Sequence, residues 1–342
     1  MATCAVLGAT SWGLTLAWRL HQNGHSVIIL TRDEPEAQRL RADRGLARLP
    51  EVTLPPGVAI LPASASRSPS PTQWERGSGG EGLVVAVPAQ YFASSLSLLP
   101  AAWRDVPALS VAKGLDQRGG LRMSQVLVNA GWPPANVAAL SGPNLAHEVA
   151  RGLPAAAVVA STSDAVARSW QQTLSGGTFR IYRSTDVVGV ELCGSLKNVI
   201  AIAAGACAGL EFGANAVAAL MTRGLAEITR LGVALGAQPA TFQGLAGVGD
   251  MAATCFSPLS RNRRLGDLLA QGLPSNEALL RIGEAVEGAA TAPVALAMAR
   301  DAGVDVPIVE QVCAVLAGRA AVRDAVSALL SRPLTTEAAP PG

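Results

Sequence analysis

Lys197 sits inside Asp186–Leu210, a run that reads as one helix apolar almost all round through Val187, Val188, Val190, Leu192, Leu196, Val199, Ile200 and Ile202. Its neighbours three and four residues away are Cys193, Gly194, Ile200 and Ala201, mostly small groups that leave room for a ligand. A lysine on a helix is ordinarily a solvated surface charge. This one has no carboxylate at those spacings and a face that offers little water. Desolvation disfavours a charged amine, so such a lysine exchanges a proton nearer neutrality and can serve as acid or base. The context favours catalysis over a surface role.

A second group is Gly247-Val248-Gly249-Asp250, followed ten residues on by Ser260-Arg261-Asn262-Arg263-Arg264. A glycine-flanked aspartate is commonly a turn or a helix N-cap, and Ser-Arg-Asn can equally open a solvated helix. The same side chains also suit a small phosphate, which accepts several hydrogen bonds and a planar guanidinium fork.

The third group is Gly8-Ala9-Thr10-Ser11-Trp12-Gly13, placed after the apolar run Cys4–Leu7 and before a helical pattern. Gly8 permits the tight turn out of a strand, and Gly13 lets the helix pack closely on the sheet. The N–H groups of the first helical turn then hold a pyrophosphate, aided by the helix dipole. The middle glycine of G-x-G-x-x-G is replaced by Thr10, so the loop either differs slightly or offers the threonine hydroxyl to the cofactor. A turn without a nucleotide is the alternative; the strand–turn–helix context favours the cofactor.

The end of the next strand, Leu30-Thr31-Arg32-Asp33, belongs beside the adenosine ribose, where an acid favours NAD and an arginine accommodates the 2′-phosphate of NADP. Asp33 with Glu36 also makes a capping box. We assign Arg32 to the cofactor and Asp33 to the helix, so that NADP(H) binds and NAD(H) is not excluded.

The elements that position these groups divide the chain in two. A length of 342 residues suits two domains, and 49 % hydrophobic against 15 % charged residues supplies a large core. Strands are expected at Cys4–Leu7, Ser26–Leu30, Gly82–Val87, Ala108–Ala112, Val137–Leu140, Ala156–Ala160 and Phe179–Tyr182. Helical stretches such as Trp12–Asn23, Pro35–Ala42 and Ala165–Leu174 lie between several of them. Such alternation implies an α/β, Rossmann-type, mainly parallel sheet domain over residues 1–184. An all-helical substrate and catalytic domain is expected over 185–334, and a disordered tail over 335–342. Ser64–Gly82, rich in serine, proline and glycine, reads as a flexible surface insertion.

Basic residues exceed acidic ones by only two, 27 against 25, which gives no electrostatic reason to expect nucleic acid or an anionic membrane. The five cysteines are scattered without a CxxC pair, so neither a disulfide framework nor a metal site suggests itself, and a cytoplasmic setting fits. The N-terminus lacks the basic start of a signal peptide. The most apolar stretch, Val199–Leu210, is too short to span a bilayer.

Taken together the motifs resemble the bacterial NAD(P)-dependent glycerol-3-phosphate dehydrogenases. The resemblance rests on GATSWG (8–13), AVPAQ (86–90), VAKG (111–114), LSGPNLAHEVARGLP (140–154), GSLKNVIAIAAG (194–205), GVGD (247–250), SPLSRNRRLG (257–266) and VEG (286–288). It implies NAD(P)H-dependent reduction of dihydroxyacetone phosphate to sn-glycerol 3-phosphate, the entry to glycerophospholipid synthesis. By the same resemblance Lys197 is the general acid/base, Asp250 orients it or the substrate hydroxyls, and Lys113 touches cofactor and substrate. Ser260, Arg261 and Asn262 bind the phosphate end of the substrate, with Arg261 also reaching the dinucleotide. Gly142 and Asn144 lie near the substrate; Ala146, Glu287 and the Ser11–Trp12 backbone contact the cofactor. The family usually has glycine at position 10 and often serine or threonine at 144. A homodimer is compatible with this reading.

Two rivals share parts of the pattern. A β-hydroxyacid dehydrogenase of the 6-phosphogluconate type has a similar sheet domain and a lysine in a K-N-x-x helix, but GVGD with SPLSRNRR favours glycerol phosphate. A non-catalytic dinucleotide sensor is suggested by Thr10; Lys113, Lys197 and Asp250 together argue against it.

Overall fold

The apolar runs of the first half form one eight-stranded sheet: β1 (Thr3–Leu7), β2 (Ser26–Thr31), β3 (Ala59–Pro62), β4 (Gly82–Val85), β5 (Ala108–Ser110), β6 (Val137–Ser141), β7 (Ala155–Ser161) and β8 (Phe179–Ser184). The computed structural model describes residues 2–66, 82–334 and 336. The strand order is β3-β2-β1-β4-β5-β6-β7-β8, and every pair is parallel except β6 with β7. The sheet grows from β1 to β2 and β3 in one direction, then resumes at β4 in the other. This reversal opens a crevice at the carboxyl ends of β1 and β4, the place where such sheets bind ligands.

Both faces of the sheet are covered, which is why its strands read as continuous apolar runs rather than alternating ones. Cys4 and Val6 pack into one core with Leu14, Leu16, Leu20, Val166 and Trp170. Ala5 and Leu7 point the other way, into a core with Phe92, Leu96, Trp103, Met123 and Leu127. Burying a side chain of this size stabilises by roughly 1.5–3 kcal/mol against leaving it exposed. The covering helices are α1 (Ser11–Gln22), α2 (Glu34–Asp43), α3 (Phe92–Leu96), α4 (Met123–Asn129), α5 (Ala146–Ala150) and α6 (Asp164–Leu174).

Strand β3 is absent from the sequence expectation. It is four residues long, pairs only with β2 at the sheet edge, and ends on Pro62. A short apolar run closed by proline carries little strand signal, and an edge position is where proline is tolerated. The expected insertion Ser64–Gly82 is corrected at both ends. Ser66 is 4 % exposed, and its Oγ accepts from Trp103 Nε1 at 3.0 Å and donates to Ala63 O at 2.6 Å. Gly82 begins β4. The remainder of that expectation, residues 67–81, lies outside the described residues, as does the expected tail apart from Thr336.

The helices that follow are α7 (Val187–Gly209), α8 (Ala214–Ala234), α9 (Pro239–Phe242), α10 (Asp250–Phe256), α11 (Arg261–Ala270), α12 (Ser275–Ile282), α13 (Glu287–Asp301), α14 (Pro307–Leu316) and α15 (Val322–Leu330). A π-helical turn, Leu245–Gly249, runs directly into α10. Two compact units result: Met1–Asp116 with Leu121–Glu191, and Gln117–Gly120 with Leu192–Gly342. Helix α7 corrects the estimate of apolar length made from Val199–Leu210. At 23 residues it is long and apolar enough to cross a membrane by those two criteria, but 89 % of its most apolar window is buried inside the protein. It is a core helix.

Candidate active site

In the first unit the glycine turn closes as its spacing requires. Gly8 adopts φ +112°, and its N–H donates to Leu30 O at 2.9 Å. A Cβ on Gly8 would lie 2.7 Å from Val87 Cγ1, and one on Gly13 only 2.3 Å from Gly8 O. Neither position admits a side chain without displacing the turn from the sheet. Thr10 turns its hydroxyl into the protein. Its backbone is extended (φ −90°, ψ 164°), so no left-handed conformation calls for glycine there, and it acts as the N-cap of α1. Its Oγ1 accepts from Gly13 N at 3.0 Å and donates to Ala86 O at 2.7 Å. Among the described residues, no protein acceptor is assigned to the N–H groups of Ser11 and Trp12. The turn therefore fits a dinucleotide pyrophosphate: it has a cradle that a Cβ would fill and two unclaimed donors at a helix N-terminus. Ser11 Oγ also accepts from Arg48 Nε at 3.2 Å, and the Trp12 ring meets Phe179 edge-on at 6.1 Å.

Asp33 caps α2, its Oδ1 accepting from Glu36 N at 2.8 Å while Glu36 Oε2 accepts from Arg32 N at 2.9 Å. The helix role expected of Asp33 is therefore present. Arg32 is 70 % exposed in its side chain, and its Nε donates to Asp33 Oδ2 at 2.9 Å. That contact raises the guanidinium pKa and lowers that of the carboxyl. Further along the sheet, Lys113 Nζ donates to Gly142 O at 2.8 Å and to Asn144 Oδ1 at 2.5 Å. Gly142 has φ +139°, and a Cβ there would meet Ala157 Cα at 2.8 Å. Asn144 is 8 % exposed, and its Nδ2 has no protein partner. Ala146 opens α5, and its carbonyl accepts from Thr15 Oγ1 at 3.4 Å.

In the second unit Lys197 on α7 and Asp250 at the start of α10 meet in a buried pair, Nζ to Oδ1 at 3.0 Å, with side chains 5 % and 3 % exposed. The carboxylate absent three and four residues from the lysine on its own helix comes from another helix. Thr254, one turn beyond Asp250, accepts from Lys197 Nζ at 2.5 Å and donates to Asp250 O at 2.7 Å. Sequence reading missed Thr254, although an Asp and a Thr four residues apart share a helical face. It also missed Asn198, whose Oδ1 accepts from Asn262 Nδ2 at 2.9 Å. Asn262 Oδ1 in turn accepts from Gly288 N at 2.9 Å, which brings the residue after Glu287 to the Ser260–Asn262 segment. Ser260 caps α11, its Oγ accepting from Arg263 N at 3.3 Å. Arg261 lies 3.5 Å from Glu284 Oε2, both side chains about two-fifths exposed. Lys197 and Asp250 are thus in direct contact, while Asn262 is tied by its side chain to Asn198 and to the N–H of Gly288, and Ser260 caps the helix that carries it.

Comparison with known proteins finds one family in both halves of the chain. Residues 3–167 match the profile of the NAD-dependent glycerol-3-phosphate dehydrogenase N-terminus, and residues 186–327 that of its C-terminus. The chain is 43 % identical to a glycerol-3-phosphate dehydrogenase (NAD(P)+) of Edwardsiella ictaluri, over 97 % of this chain and 96 % of the relative. It is 45 % identical to the protein of the same name from Thioalkalivibrio sulfidiphilus, over 96 % of each. The crystal structure of a glycerol-3-phosphate dehydrogenase from Coxiella burnetii superposes with a TM-score of 0.85 at 34 % identity, covering 96 % of this chain and 99 % of that one.

Proposed function

The chain belongs to the NAD-dependent glycerol-3-phosphate dehydrogenases, and we propose that Lys197 moves the proton in the reaction it carries out. That reaction is the reversible reduction of dihydroxyacetone phosphate to sn-glycerol 3-phosphate with NADH or NADPH, which supplies glycerophospholipid synthesis. Membership also removes the 6-phosphogluconate and sensor readings.

The observation that carries the proposal is the buried contact of Lys197 with Asp250 and Thr254. The bound reduced nicotinamide supplies the hydride. Lys197 Nζ–H delivers a proton to the ketone oxygen and takes it back when glycerol phosphate is oxidised. Asp250 and Thr254 fix the direction of the Nζ–H bonds, as a positioned acid requires. Gly8, Gly13 and the Ser11–Trp12 backbone hold the pyrophosphate, with Ala146, Glu287 and Arg32 on other parts of the dinucleotide. Lys113, aligned by Gly142 O and Asn144, faces cofactor and substrate. Ser260, Arg261 and Asn262 take the substrate phosphate, Arg261 by a charge-assisted fork. We also place the protein in the cytoplasm, since all five cysteines are free and buried.

If the phosphate is held in this way, its binding energy orients the reacting carbon, and its loss harms kcat as well as KM. Dihydroxyacetone is then a very poor substrate beside dihydroxyacetone phosphate. Arg261→Ala lowers turnover of the phosphate far more than any residual turnover of dihydroxyacetone. An equal loss on both substrates removes Arg261 from the phosphate.

A further inference from the structure

Thr10 stands where a dinucleotide turn of this kind would carry its second glycine, yet its hydroxyl both donates and accepts inside the protein. It donates to Ala86 O, the first carbonyl beyond β4, and accepts from Gly13 N in the first turn of α1. The turn itself leaves β1 at Gly8. The bond to Ala86 O therefore ties the turn after β1 to the end of β4, the strands between which the sheet order reverses, while the bond from Gly13 N holds the turn to the start of α1. A glycine at position 10 could make neither bond.

We propose that Thr10 is a positioning residue for the dinucleotide: its hydroxyl fastens the phosphate turn to the end of β4 and occupies the Gly13 N–H, leaving the Ser11 and Trp12 N–H groups to hold the pyrophosphate. This rests on the assignment of that turn to the dinucleotide. A capping hydroxyl satisfies one of the orphan donors at a helix start. Holding the remaining donors in their binding geometry before the ligand arrives lowers the ordering cost of binding. Thr10 thus trades the close phosphate approach of a glycine turn for rigidity.

Thr10→Val keeps the branched shape and removes both hydrogen bonds, so the KM for NADH and that for NADPH both rise about tenfold while kcat moves far less. The rise is equal for the two dinucleotides because they share the pyrophosphate. Thr10→Ser restores both bonds and most of the affinity. Thr10→Gly, whose backbone can adopt the same angles, weakens binding as valine does. Direct titration of each purified variant with NADH gives Kd values independent of turnover. Unchanged Kd in Thr10→Val overturns the proposal, and so does tighter binding by Thr10→Gly, which would mean that the phosphate competes for the Gly13 N–H. Gly13→Ala separates this failure from failure of the underlying assignment, since its Cβ would sit 2.3 Å from Gly8 O. Normal NADH binding by Gly13→Ala would remove the turn itself from the dinucleotide.

Discussion

The two units assemble their functional groups by different means. In the first, the groups belong mostly to the backbone: the N–H groups of Ser11 and Trp12 at the start of α1, the turn at Gly8, and the carbonyl of Gly142 that receives Lys113. In the second they are side chains brought from separate helices: Lys197 from α7, Asp250 and Thr254 from α10, Asn262 from α11, the last bonded to the N–H of Gly288 on α13. A backbone site is set by the path of the chain and tolerates change at every position where a Cβ fits. A side-chain site is set by identity, and each member is hard to replace.

The largest expected effect follows from that difference. Lys197→Met retains the apolar stem and removes the acid, so kcat falls by roughly a hundredfold or more while dinucleotide binding persists. Asp250→Asn keeps the shape of the pair but leaves a buried cation without its carboxylate, a change that costs about 3–5 kcal/mol when one partner of such a pair is removed. Lys197→Met likewise leaves the Asp250 carboxylate buried without its cation, so both variants are expected to lower melting temperature as well as kcat. Near-normal turnover in Lys197→Met would end the assignment of the proton to this lysine and, with it, the contrast between the units.

The same contrast decided how much could be read from the sequence. Gly8 and Gly13 are visible because a backbone turn leaves its mark in residue spacing, and the strands around them are apolar on both faces. Asp33 with Glu36 was legible as a cap for the same local reason. The partnership of Lys197 with Asp250 spans 53 residues and no local pattern reports it. It became an expectation only through resemblance to a family, and Thr254 and Asn198 escaped even that. Strand β3 was missed because an edge strand of four residues needs little apolar sequence. The bond from the Thr10 hydroxyl to Ala86 O spans 76 residues, and no local pattern reports it either.

Buried carboxylates invert the pattern, and their pH response sharpens it. Glu191, in the first unit, is held by side chains and backbone together: Arg122 Nη1 at 2.8 Å, Ser124 Oγ at 2.5 Å and Ser124 N at 2.7 Å. Glu227, in the second, caps α14 by accepting from Ile308 N and Val309 N, both at 2.9 Å, with Arg230 and Asp305 as the charged groups acting on it. Burial pushes Glu227 from the ordinary 4.5 up to about 7, against the pull of the two N–H groups. A carboxyl whose pKa is raised on folding binds its proton more tightly in the native state. Its contribution is therefore complete below about pH 4.5 and is lost as the pH rises through about 7. Across that window the wild type should lose stability on the order of 3 kcal/mol relative to Glu227→Gln. The comparison uses slopes of stability against pH, since glutamine in this site carries its own fixed cost. Parallel slopes for the two proteins would show that Glu227 does not titrate there.

The smallest effect is expected at Arg32, where the site is exposed and both partners face water. The guanidinium is already bonded through Nε to Asp33, whose other oxygen caps α2. A 2′-phosphate therefore meets a cation whose charge is partly offset by its neighbour, and which solvent screens. Removing such a charge shifts binding by only about three- to fivefold. Arg32→Ala should raise the KM for NADPH by this factor and leave that for NADH nearly unchanged, because NADH lacks the phosphate. Asp33 would remain, free to accept from the ribose hydroxyl of NADH and to repel the phosphate of NADPH, so the preference between the dinucleotides should move toward NADH. Charge screening adds a second check: the effect on NADPH should shrink as salt shortens the reach of exposed charges. An equal change in both KM values, or an NADPH effect indifferent to salt, would take Arg32 out of the 2′-phosphate site. The dinucleotide preference would then lie with another group of the first unit.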